Sequence, residues 1–383
     1  MDIRHYFEPV NFEQFLQQGR IKFKNTLGAQ IAKTTHSFSP EKSGEIDIAL
    51  FGVPADSRIE NSNSTAPDRI RSELYGLAEP ENQIKIADFG NLKTAGSSKG
   101  ILKALRDLTE IFTELGIVTI VIGGSQDLTV GICEAFCDKP FFTLSAIDAL
   151  LDEKIGKEPL TRNNYLTRVF QTSNLFQFNL IGYQSYLVAP EVLLKTALVN
   201  QHMRLGKLRE DITCAEPVFR NSDVVSMDVT AVKYGDAPGN PEGFPNGLRA
   251  EEACQIARYA GAAGKVKVFG LFNAIPDATF HPVSDRLYAQ IIWYFIDGVT
   301  YRTGEIPQND NNHILYQVEV NNVDQPLVFI KHKPTNHWWM RLQLSGGKYL
   351  YFACSEEEYR QAAANEIPTL WLQLIQKTDK FLK

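Results

Sequence analysis

Four stretches of this chain carry side chains that could do chemistry, and each follows a run of β-forming residues: IVIGGSQDLT, FFTLSAIDALLD, VVSMDVTAVKYGDAPGNPEG and FGLFNAIPDATFHPVSD. Together they offer Ser125, Gln126, Asp127, Ser145, Asp148, Asp228, Thr230 and Asn273. Carboxylates, hydroxyls and amides of this kind hold hard cations through oxygen, or fix a small polar ligand by hydrogen bonds. They do not make an acyl-transfer site: His281, in ATFHPVSD, has no GxSxG nucleophile for company and reads as a local structural histidine. Plainer roles are also open. The GGSQD glycines suit a tight strand-to-helix turn with Ser125 or Asp127 capping the helix near Leu128. Asp228 could equally bind loop amides around Gly239. GDAPGNPEGFPNG is dense in Gly and Pro, which fixes a loop shape.

Placing such loops side by side requires strands. Short apolar runs at 46–53, 84–88, 117–122, 141–144, 178–182, 223–229 and 266–272 alternate with amphipathic patterns at 67–77, 99–115, 128–136, 249–263 and 285–301. That alternation predicts a three-layer αβα sandwich around a mainly parallel sheet, with its functional loops past the carboxyl ends of the strands. A polar, turn-rich connector, GEIPQNDNNH, then leads to four alternating runs at 314–320, 327–331, 338–344 and 349–352 and a helix from Glu356. The division is an N-terminal extension (1–45), an α/β domain (46–304) and a small C-terminal β-rich appendage (305–383). The cluster His332, His337, Trp338 and Trp339 in the appendage reads as an intra-chain or subunit interface rather than a metal site.

Composition narrows the partners. Lys plus Arg is 39 against 45 Asp plus Glu, a net charge of −6, which supplies no broad basic field for nucleic acid. No long apolar run or signal-like leader is present, so no membrane is expected and cytoplasmic residence is. Cys133, Cys137, Cys214, Cys254 and Cys354 form no CxxC pair or zinc spacing, and read as reduced, buried thiols.

The motifs and their order make the chain resemble the ureohydrolase superfamily of arginases, agmatinases and formimidoylglutamases over about 46–303. FGVPADSRIENSNSTAPDRIRSEL is similar to the family's first-strand loop and P-x-x-I-R helix opening, IVIGGSQDLTVG to GGDHS, and FFTLSAIDALLD to D-A-H-x-D. SMDVTAVKYGDAPGNPEGFPNGL is similar to S-x-D-x-D with its A-P-G turn, and FNAIPD to E-x-x-P. The resemblance implies two manganese ions held by two histidines and four aspartates. It places the GGDHS aspartate and histidine on Ser125 and Gln126, the D-A-H-x-D ligands on Ser145, Ile147 and Ala149, and those of S-x-D-x-D on Asp228 and Thr230. On that placement only Asp228 of six ligands is kept, and the substrate-orienting glutamate becomes Asn273. Two divalent ions about 3.5 Å apart repel by about 19 kcal/mol at an effective dielectric of 20, which one carboxylate cannot offset.

The expectation is therefore a ureohydrolase-fold protein without the family's hydrolysis and without a cofactor, acting in binding or assembly as a homo-oligomer. Its pocket would take a small polar ligand through Ser125, Gln126, Asp127, Ser145, Asp228, Thr230 and Asn273. The alternative is a hydrolase of an amidine or guanidine C–N bond with an atypical or absent metal site, using manganese or a single Mg²⁺ or Ca²⁺ at Asp127, Asp148 and Asp228.

Overall fold

Runs such as IALFG and VTIVI have no polar alternation, so they are stable only where both faces of the sheet are covered. The computed structural model of the chain describes all residues except 1–2, 18, 20–24, 38–44, 56–63, 94–96, 155, 157, 198–199, 241, 275–280, 305–306, 308–310, 344–347 and 382–383. Nine strands form the main sheet: β1 (Phe7–Glu8), β2 (Ile48–Gly52), β3 (Ile86–Leu92), β4 (Val118–Ile122), β5 (Phe142–Ile147), β6 (Leu175–Tyr183), β7 (Gln201–Arg204), β8 (Val224–Asp228) and β9 (Val268–Phe272). Their order is β1-β3-β2-β4-β9-β8-β5-β6-β7, parallel throughout except for β1 against β3.

Alternate residues feed two cores. Ile48, Leu50, Ile120 and Ile122 pack on one face with helices Ala66–Leu74, Ala250–Ala262 and Pro282–Thr300. Ala49, Phe51 and Val121 pack on the other face with helices Ser98–Glu114 and Thr129–Glu134. This is the αβα sandwich expected. Two strands were not legible: β1 lies inside the stretch read as an extension, and β7 is the polar tetrad QHMR. Both are edge strands, where half-solvated positions leave no hydrophobic pattern to read.

The appendage is a separate antiparallel sheet of β10 (His313–Val318), β11 (Leu327–His332), β12 (Trp338–Gln343) and β13 (Tyr349–Cys354), followed by helices Glu356–Ala363 and Thr369–Phe381. It docks on the amino-terminal end of β8. Asn221 donates to Ala353 O and accepts from Ala353 N, both at 2.8 Å, while Arg220 donates to Trp338 O and Cys354 O and stacks over Trp339. His337 approaches Glu216, and His332 pairs with Thr335, so the aromatic and histidine cluster is an intra-chain contact. Asn221→Ala strands two buried backbone groups of Ala353 and is expected to cost about 1–3 kcal/mol, read from the midpoint of urea unfolding. An unchanged midpoint would show that this clasp contributes nothing. All five cysteines are free, but Cys137, in the turn after helix Thr129–Glu134, is exposed and Cys214 is half-buried.

Candidate functional site

The order β4-β9-β8-β5 brings the carboxyl ends of four strands together. After β4 the chain turns at Gly123 and Gly124, whose φ values of +81° and +76° suit glycine alone. A Cβ on Gly124 would stand 2.3 Å from Leu128 Cδ1 and 2.7 Å from Ala55 O. The tight-turn reading of GGSQD is thus correct. Ser125 occupies the cap position of the short turn Gln126–Leu128 without a capping side-chain hydrogen bond.

Past β9, Asn273 takes φ +62°, a left-handed conformation that asparagine tolerates better than most residues. From there it joins two strand ends. Its Oδ1 accepts from Gln126 N at 3.2 Å and its Nδ2 donates to Asp228 Oδ2 at 2.8 Å. Asp228 Oδ1 accepts from Thr230 N at 2.7 Å, so the amides that Asp228 meets are those of its own turn. Gly239 N is held instead by Ser284 Oγ.

Past β5 the structure corrects the sequence. Ser145 pairs in register with Val225, three residues before Asp228, and its Oγ bonds to Ser222 Oγ at 2.6 Å and Asn179 Nδ2 at 2.8 Å. It belongs to a buried network inside the sheet. Ile147 is level with Met227, so the residue that stands beside Asp228 is Asp148. Ligand oxygens of Asp148, Asp152 and Asp228 all lie within 4.8 Å of one another. The D-A-H-x-D pattern therefore falls three residues later than the sequence reading put it, on Asp148-Ala149-Leu150-Leu151-Asp152, with leucine for histidine. Set on the pattern that the resemblance implies, this register puts aspartate at three of the six positions, not one, and Gln126, Leu150 and Thr230 at the others. Asp127 lies outside this group, so the cation set of Asp127, Asp148 and Asp228 is replaced by one with Asp152.

Three buried carboxylates so close are electrostatically costly. At 4.8 Å and an effective dielectric of 20, each charged pair repels by about 3.5 kcal/mol. Burial first, then the charges of Asp152 and Asp228, push the Asp148 carboxyl well above its ordinary range. Burial and the charge of Asp228 push Asp152 up to about 7, against an ordinary 3.8. Burial also raises Asp228, against the opposing hydrogen bonds of Thr230 and Asn273. An acid raised on folding binds more protons folded than unfolded, so this cluster removes stability as pH rises from about 4 to about 7. A bound cation would reverse that loss.

A cavity of about 450 Å³ opens on Asp152 and Asp228, lined also by Leu150, Lys154, Thr230 and Phe244. Arg162 and Glu242, which pair with each other, line it too. Asp152, Leu150, Arg162 and Glu242 were missed from the sequence. The D-A-x-x-D spacing could have found the first two; the last two are joined only by the fold.

The nine-stranded sheet with its converging loops is the architecture of the ureohydrolase superfamily. The chain belongs to the arginase family, which matches residues 46–297. It is 27% identical over 133 residues to a formimidoylglutamase of Salmonella heidelberg, which covers 32% of this chain and 42% of that protein, so it spans less than half the length of the curated relatives it matches. It is similar in fold to Trypanosoma cruzi formiminoglutamase with Mn²⁺, at 18% identity and TM-score 0.63, covering 70% of this chain and 97% of that one. It is likewise similar to the agmatine ureohydrolase of Thermoplasma volcanium, at 19% identity and TM-score 0.57, covering 75% and 98%. Among the described residues no helix is long and apolar enough to cross a membrane.

Proposed function

We propose that this protein is a ureohydrolase-fold binding protein that has lost the two-manganese hydrolysis of amidines and guanidines. The observation that carries this reading is Leu150 on the pocket wall, at the histidine position of D-A-H-x-D, together with Gln126 and Thr230 at two further ligand positions. A leucine has no lone pair to offer, and threonine and glutamine bring no charge against the repulsion of two divalent ions. The remaining carboxylates do not fit a manganese pair. The pocket instead takes a small polar molecule, with Asp152, Asp228, Thr230 and Arg162 on its walls. Cytoplasmic residence and assembly into a homo-oligomer belong to the same proposal.

Formimidoylglutamate, arginine and agmatine, offered to manganese-supplemented full-length protein, are expected to release neither formamide nor urea above a protein-free control. Turnover with two manganese ions per chain would establish the hydrolase reading instead, which the retained aspartates and the formimidoylglutamase relatives favour.

A further inference from the structure

We propose that Asp148, Asp152 and Asp228 hold one hard divalent cation of the Mg²⁺ or Ca²⁺ class, in a site built from oxygen donors alone. This rests on the loss of the manganese pair and goes beyond it, by naming what the surviving half of the centre binds. Three carboxylates with mutual separations under 4.8 Å are a cation-binding arrangement by geometry, but acidic clusters also occur without an ion.

Two further oxygens point to a ligand. The Tyr165 hydroxyl is fully buried and has no hydrogen-bond partner among the described residues, although it lies within electrostatic reach of Asp148, Asp152 and Asp228. A fully buried phenol that feels three carboxylates and bonds none of them is a polar group that a ligand held by those carboxylates would satisfy. Gln126 Oε1 is likewise buried and has no partner, at the position where the family places a histidine. Its side chain is anchored through Nε2 on Ser226 Oγ, two residues before Asp228 on β8, and its backbone through Asn273, which also holds Asp228.

The donor chemistry decides which ion. Histidine nitrogen suits manganese and zinc, whereas carboxylate, amide and hydroxyl oxygens suit magnesium and calcium. With no imidazole in the cluster, selection moves toward the harder ions. Three carboxylates and one divalent ion leave −1, against −3 for the three carboxylates alone, so the ion removes most of the repulsion within the cluster.

The test is calorimetric titration at pH 8 of chelator-treated, dialysed full-length protein with MgCl₂, CaCl₂ and MnCl₂, beside thermal melts in each salt. One equivalent of Mg²⁺ or Ca²⁺ is expected to bind and raise the melting temperature. Asp152→Asn is expected to weaken binding at least tenfold, and Tyr165→Phe several-fold. Asp152→Asn also removes a buried like charge, so its metal-free form is expected to melt no lower than the parent protein, which separates lost binding from lost folding. Absence of binding by all three ions, or equal binding by Asp152→Asn and the parent, overturns the single-cation site and leaves the loss of hydrolysis standing. Two equivalents of manganese overturn both.

Discussion

A chain carrying Gln126→His, Leu150→His and Thr230→Asp together is expected to bind two manganese ions where the parent binds at most one, as read by elemental analysis after gel filtration. The three exchanges complete the ligand pattern that the family's motifs describe, on a framework that already brings Asp148, Asp152 and Asp228 within 4.8 Å of one another. Two of the positions, Leu150 and Thr230, already line the cavity beside Asp152 and Asp228. Gln126 is buried, and a histidine there gives up the 3.3 Å bond to Ser226 Oγ, at about 1 kcal/mol. The added charge and imidazoles act against a repulsion of about 19 kcal/mol between the ions. A folded triple variant that still binds one ion or none would show that the loss lies elsewhere, in the loops and not in the ligands.

The second large effect concerns stability. Arg71→Met is expected to destabilise the protein by about 3–5 kcal/mol, because it leaves a buried carboxylate without its counter-charge. Arg71 is fully buried and donates to Asp88 Oδ2 at 2.8 Å, Asp88 Oδ1 at 3.2 Å, Gly90 O at 2.7 Å and Asn91 Oδ1 at 2.6 Å. Tyr75 donates its hydroxyl to the same Asp88 carboxylate at 2.7 Å. Methionine fills much of the volume but satisfies none of these acceptors. For a domain of this size the loss corresponds to a fall in melting temperature of about 10 °C. A variant melting within 2 °C of the parent, by about the same scale, would mean that Asp88 takes up a proton or water at little cost. Arg71→Lys is expected to fail as well, because a point charge cannot span Asp88, Asn91 and Gly90 together.

Arg71 also shows what a sequence can and cannot disclose. It is the arginine of P-x-x-I-R, and the motif marked a helix opening without revealing that the guanidinium ties that helix to β3. The sheet itself was readable, since interior parallel strands must be apolar on both faces. The candidate site was readable only in part. Asp228 and Thr230 were found because β8 ends in an unmistakable S-x-D-x-T. In FFTLSAIDALLD the ligand pattern was set three residues too early, on Ser145 in place of Asp148. Nothing in an apolar run states where its strand stops. The pairing of Ile147 with Met227 supplies that stop, and with it the partnership of Asp148 and Asp228. Tyr165 and Arg162 come from a segment with no motif, and Glu242 from a loop that was read only for its shape, so all three reach the site through tertiary folding alone.

The clasp at Asn221 lies before the start of β8 and the carboxylate of Asp228 at its end, and β8 itself, Val224–Asp228, spans about 13 Å. The molecule thus has two poles, and a protein that docked on the appendage would leave the pocket mouth open to solvent.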